Sequence, residues 1–128
     1  MKKYFLDTNV ILRFLLHDSE KYYDKARDYF EKAKNGKIEI IIIPEVFFEI
    51  DYVLRGVYSI TKKEVCDIIL KLLLTPYLNI SDRDILITTV RIYQKINIDF
   101  FDIYLYYRAI SQKGTVLSFD KTPLIPAS

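Results

Sequence analysis

Four carboxylates, those of Asp7, Glu49, Asp102 and Asp120, stand at comparable places in the chain. Asp7 follows the first apolar strand run, Glu49 lies one turn into the helix after the second, Asp102 opens the last helix, and Asp120 follows a final strand-like run. In a parallel sheet the strand ends from which helices depart share one edge, so the first, second and fourth of these acids can converge there. Helix amino termini at the same edge tolerate negative charge. Carboxylates crowded into one pocket repel each other, and without a cation at least one must take up a proton. Hard divalent cations with oxygen ligands relieve that repulsion, and Mg²⁺ or Mn²⁺ fits best because each keeps several waters and takes only one or two carboxylates. No softer ligand stands nearby in the sequence, so zinc is disfavoured. Such a cluster suits phosphodiester hydrolysis. Taken singly, Asp7 reads equally well as a helix cap, and Asp102 reads better as one than as a site residue.

The elements that must position these acids alternate regularly. Tyr4-Phe5-Leu6 predicts a short buried strand, and Val10, Ile11, Phe14 and Leu15 repeat at helical spacing immediately after Asp7. His17-Asp18-Ser19 is a break with a capping residue, followed by a second helix that stops near Asn35-Gly36. Ile38 to Ile43 is β-branched nearly throughout, the pattern of a strand covered on both faces. Pro44 then suits the first position of a helix running to Gly56. Within it Glu45 and Glu49 share a face, Asp51 points elsewhere, and Glu49 is flanked in sequence by Phe48 and Ile50, an awkward place for a carboxylate without a task. Thr61 and Glu64 form a capping box for a fourth helix to about Leu74. Tyr77 to Ile80 predicts a short strand, Ser81 caps a fifth helix, a sixth spans about Phe101 to Gln112, and Thr115 to Phe119 predicts a last strand. Asp18, Asp24, Asp28, Asp67 and Asp82 are expected to be caps or surface charges. This is an α/β pattern, expected as one domain over residues 1–128 with a largely parallel central sheet of four or five strands flanked by helices.

Composition narrows the function. With 51% hydrophobic and 28% charged residues the chain is expected to be a soluble globular protein. Its apolar runs are shorter than the roughly 20 residues of a membrane span, and the first strand begins too early to leave room for a signal peptide. A lone cysteine, Cys66, excludes an internal disulfide and fits a reducing cytoplasm. A lone histidine, His17, cannot anchor a histidine–cysteine metal site or a serine–histidine pair and is expected at the surface. Three glycines leave no phosphate-cradling loop. A net charge of +2 neither announces nor excludes a nucleic-acid partner, and acids gathered in one pocket would leave the remaining surface more basic. Arg13 and Lys121, the basic residues nearest the acids in sequence, are the candidates for phosphate contacts.

The strings FLDTNVILRFLL, PEVFFEIDYVL, IDFFDIYLYYRA and VLSFDK follow one another in that order between Phe5 and Lys121. Together they resemble the PIN-domain ribonucleases, in particular the VapC-type toxins of toxin–antitoxin pairs. The resemblance implies a PIN-like fold and a Mg²⁺- or Mn²⁺-dependent endoribonuclease. It implies Asp7, Glu49, Asp102 and Asp120 as the catalytic acids, with Asp99 as an additional metal ligand. Thr8 or Asn9, and Ser118, match the small polar positions that orient the first and last acids, and the family's helix pattern selects Glu49 over Glu45. An RNA substrate, an antitoxin protein and a cytoplasmic setting follow from the same resemblance. The aromatic helix around Ile103 to Tyr107 carries more apolar surface than one buried face requires, which predicts a homodimer or antitoxin contact. A housekeeping RNA-processing PIN nuclease and a catalytically inactive PIN-fold interaction module are the alternatives. A haloacid-dehalogenase-type phosphatase requires a second aspartate where Asn9 stands, and a receiver domain requires a phosphoacceptor where Pro44 ends the second strand.

Overall fold

The computed structural model describes residues 1–120 and 125–126. Three strands, β1 (Lys2–Phe5), β2 (Ile38–Ile42) and β3 (Asn79–Ile80), form one parallel sheet in the order β1-β2-β3. Tyr4 pairs with Ile40 and Ile42 with Ile80. β2 is the central strand; Ile40 and Ile42, two residues apart and so on one face, are buried, while Glu39 and Ile41 on the other face are only half-buried, so the cover expected on both faces is complete on one.

Among the described residues six helices flank the sheet: α1 (Thr8–Leu16), α2 (Glu20–Lys34), α3 (Pro44–Gly56), α4 (Lys62–Leu73), α5 (Arg83–Tyr93) and α6 (Phe100–Ser111). Their starts follow local chemistry. The Ser19 hydroxyl accepts from the Tyr22 amide at the head of α2, and the Thr61 hydroxyl accepts from the Glu64 amide at the head of α4. Pro44 opens α3, where its missing N–H costs nothing. The core gathers Ile11 from α1, Phe47, Ile50 and Leu54 from α3, Val65 and Ile69 from α4, Leu86 and Val90 from α5, and Ile103 from α6, all nearly free of solvent contact. Each helix thus presents one apolar stripe to the interior. No helix among the described residues is long and apolar enough to cross a membrane.

Four details differ from the sequence reading. The sheet has three strands among the described residues, not four or five. Thr115 to Phe119 forms no strand, and its Leu117 and Phe119 are fully exposed (96% and 107%). β propensity records packing against neighbouring strands, and without a ladder partner an apolar extended run gains nothing from it. Second, the strand expected from Tyr77 shrinks to Asn79–Ile80. Third, α5 is not capped by Ser81: its cap residue is Asp82, in the left-handed region (φ 58°) and without a side-chain cap bond. Its carboxylate is engaged elsewhere. Asp82 Oδ2 accepts from the Tyr104 hydroxyl at 2.6 Å and from Arg108, tying the head of α5 to α6, so it is a tertiary anchor and not a plain surface charge. Fourth, the sequence does not single out Arg83, which donates to the carbonyls of Leu73, Thr75 and Leu78, satisfying the open end of α4 and the turn before β3.

Candidate active site at the head of α6

The residue pair Asp99 and Asp102 is set by the start of α6. Asp99 is its cap residue, yet its side chain makes no cap hydrogen bond, and Asp102 lies three residues on, in the first turn. Residues three apart share a helix face, so both carboxylates look out on one side of the helix amino terminus. Neither is absorbed by capping. The Asp102 carboxyl is pushed above the ordinary aspartate value, first by loss of water around it, then by the negative charges of Asp99 and Asp120. Asp120 therefore stands near α6 even though no strand carries it there. Its backbone amide donates to the Ser118 hydroxyl at 3.0 Å, a local turn that fixes the residue's approach.

The other two predicted acids are placed differently. Asp7 follows β1, and its Oδ1 accepts from the Asn9 amide at 3.4 Å at the head of α1. It caps, as one of the two readings anticipated. Thr8 is buried beneath it and Asn9 is exposed. Glu49 is exposed on α3 and makes no hydrogen bond or ion pair among the described residues; Glu45 is likewise exposed. The flanking Phe48 and Ile50 do not enclose Glu49, because successive helical positions point about 100° apart. Among the described residues no three acidic, histidine or cysteine side chains stand close enough to share one metal ion. The donor set is nonetheless all carboxylate oxygen, the chemistry that suits a hard cation.

The basic residues are engaged. Arg13 pairs with Asp18 at 3.2 Å and lies over the Tyr22 ring at 5.0 Å, holding the junction between α1 and α2. Lys121 lies outside the described residues. His17 is half-exposed as expected, stacked on Tyr23 with its Nε2 at 2.7 Å from Glu20. Cys66 is buried, and burial pushes its thiol up to about 11, as an inert packed cysteine requires.

What the sequence reading missed is Asp51. It is 7% exposed, and both its oxygens accept from the Tyr93 hydroxyl, at 3.1 and 3.0 Å. Arg55, one turn on, donates to the same hydroxyl and lies 3.8 Å from the carboxylate. Lys62 covers the Tyr93 ring at 4.2 Å and donates to the Ile96 carbonyl. Burial raises the Asp51 carboxyl, while the Tyr93 hydrogen bond and the Arg55 charge oppose the shift. Burial likewise raises the Tyr93 phenol. The available signal was the i,i+4 spacing of Asp51 and Arg55 on a helix whose other faces are apolar.

No curated protein and no solved structure matches the chain significantly. The sequence model of the PIN domain family matches residues 4–124, nearly the whole chain, and the parallel sheet flanked by six helices agrees with it. PIN domains are in general nucleases that act on RNA and usually use divalent metals. The chain belongs to the PIN domain family.

Proposed function

We propose that the protein is a Mg²⁺- or Mn²⁺-dependent endoribonuclease, the toxin of a toxin–antitoxin pair, working in the cytoplasm as one nuclease domain over residues 1–128. The observation that carries this reading is the head of α6, where Asp99 and Asp102 stand three residues apart, the Asp99 side chain makes no cap hydrogen bond, and the charge of Asp120 reaches Asp102. Asp7, Glu49, Asp99, Asp102 and Asp120 are the residues that would hold the cation. When bound, the cation supplies Lewis-acid chemistry for phosphodiester hydrolysis. The chain's own groups do the rest. The Asn9 amide, with Thr8 buried beside it, orients Asp7, and the Ser118 hydroxyl orients the backbone of Asp120. Asp99 and Asp102 hold negative charge at a helix amino terminus, whose dipole tolerates it. Arg13 and Lys121 provide phosphate contacts once Arg13 exchanges Asp18 for the substrate backbone.

Partner binding has support in the surface of α6, which leaves Phe101, Leu105 and Ile110 exposed after burying Phe100, Ile103, Tyr104 and Tyr107. That residual apolar face fits a homodimer contact or an antitoxin segment. The test is cleavage of mixed structured RNAs by the purified protein in Mg²⁺, Mn²⁺ and EDTA, with Asp7→Asn as control. Cleavage that requires the cation and fails in the variant supports the reading. Undiminished cleavage in EDTA would sink it, and no cleavage of any RNA in either metal would favour an inactive interaction module.

A further inference from the structure

A cleft of about 390 Å³ opens between α3 and the head of α6, lined by Phe48, Asp51, Tyr52, Arg55, Asp99 and Phe101, with Gly56 and Phe100 completing it. Its construction differs from an ordinary surface groove. Two of its lining residues, Asp51 and Arg55, are held in place by hydrogen bonds to the Tyr93 hydroxyl, which reaches them from α5. The inner wall is a packed aromatic set, with Phe48 against both Phe100 and Phe101 at ring-centroid distances of 5.1 and 5.3 Å. The mouth carries aromatic surface in water: Tyr52 is 75% exposed and Phe101 45% exposed. Tyr52 makes no hydrogen bond among the described residues.

The polar groups at this cleft are of both signs. Arg55 is 44% exposed along its side chain and engages its partners there through Nη1, and Asp99 stands exposed on the opposite rim. Asp99 also belongs to the head of α6, where its charge acts on Asp102, and it acts on Asp51 as well. The cleft and the proposed site therefore share a residue. A phosphate is a poor occupant, because two carboxylates line the space. A flat, neutral ring with donors along one edge and acceptors along another is a good one. Bases splayed out of single-stranded RNA are recognised by stacking on aromatic faces and by hydrogen bonds along their edges. Guanine matches both signs: its N1–H and exocyclic amino group can donate to a carboxylate such as Asp99, while its O6 and N7 accept from an arginine such as Arg55.

We propose that the cleft between α3 and α6 is a base subsite that seats an unstacked guanine of single-stranded RNA next to the phosphodiester to be cut. This deepens, and rests on, the reading of the neighbouring acids as a ribonuclease site. A second copy of the chain covering Tyr52 and Phe101 is the competing occupant. It is less well matched, because the exposed aromatics surround a polar cleft with charges of both signs instead of a continuous apolar face.

The test is fluorescence anisotropy of labelled hexanucleotides in EDTA, so that binding is read without cleavage, comparing an all-adenine sequence with the same sequence carrying one guanine. The guanine oligonucleotide is expected to bind more tightly. Tyr52→Ala is expected to weaken it by roughly five- to 150-fold, the range of one base–aromatic stack, and to weaken the all-adenine sequence less. Tyr52→Phe, which keeps the ring, should restore the affinity. Light scattering of wild type and Tyr52→Ala accompanies the titration. Equal binding of both sequences, absence of RNA binding, or a dimer lost in Tyr52→Ala with RNA affinity unchanged would each overturn the proposal. Guanine-selective binding by a protein that cuts no RNA in Mn²⁺ would instead overturn the ribonuclease reading and leave the cleft as a base-binding site.

Discussion

Two carboxylates, Asp51 and Asp102, both feel the charge of Asp99 and obey opposite rules. Asp51 is buried and supplied with partners: the Tyr93 hydroxyl bridges its oxygens, Arg55 stands beside it, and Lys62 covers the ring that holds it. Asp102, with Asp99 and Asp120 for neighbours, is exposed and meets like charge instead. Both carboxyls are raised above the ordinary value, and loss of water is the leading cause in each. The second cause separates them. At Asp51 the remaining neighbours mostly favour the charged form, whereas at Asp102 every further contribution opposes it. A raised carboxyl alone therefore does not mark a site. A raised carboxyl whose neighbours worsen its position marks a place that a cation would improve.

The comparison breaks most sharply on activity. Asp102→Asn keeps the shape of the side chain and removes its charge, and it should lower RNA cleavage in Mn²⁺ by roughly 100-fold or more. Cleavage within a few-fold of wild type would place the chemistry elsewhere.

Stability gives the next largest contrast. Asp51→Ala leaves the buried Tyr93 hydroxyl without its acceptor and Arg55 without its ion-pair partner, and should destabilise the fold by about 3 kcal/mol. The loss should be the same in EDTA and in Mn²⁺, read by urea unfolding. A smaller loss in EDTA than in Mn²⁺ would mean that Asp51 also serves a cation. Tyr104→Phe removes two bonds of the second, part-buried network, the one donated to Asp82 and the one accepted from Arg108, and should cost about 1–2 kcal/mol. Indifference to that change would show Arg108 holding Asp82 unaided.

The smallest effect is in the pH dependence of stability without metal. The folded-state carboxyl of Asp102 titrates above 3.8, so the folded protein binds its proton more readily than the unfolded chain does. That contribution is complete below pH 3.8 and is lost as pH rises through the raised value. Asp102→Asn should remove this loss, leaving the variant at least as stable as wild type at neutral pH and relatively less favoured in acid. Parallel stability curves for the two proteins across that range would contradict the repulsion at the head of α6.

Much of this arrangement was legible because local patterns are decisive where they are long and regular. The isoleucines of β2, Pro44 at the start of α3 and the Thr61–Glu64 cap each predict their element from chemistry confined to a few residues. The first-turn position of Asp102 was legible for the same reason, whereas Asp99 entered only through the family resemblance. What failed depends on distant partners. Asp51 meets Tyr93 across 42 positions, and Asp82 meets Tyr104 across 22, which no local pattern reports. The apolar neighbours of Glu49 in sequence do not report its burial, because helix geometry turns them away from it and leaves it exposed. The run from Thr115 to Phe119 has strand composition without a strand to pair with, so its sequence predicted an element that its surroundings do not supply.

Thermal melting of wild type and Asp102→Asn, each in EDTA and in millimolar Mn²⁺, bears most directly on the claim that the acids at the head of α6 form a charge cluster built for a cation. A ligand that binds only the folded state raises stability in proportion to the logarithm of its concentration over its dissociation constant. Wild type should therefore melt higher in Mn²⁺ than in EDTA, and Asp102→Asn should match or exceed wild type in EDTA yet gain little from the metal. A variant that melts well below wild type in EDTA and still shows the full Mn²⁺ shift would make Asp102 a structural residue and contradict the account.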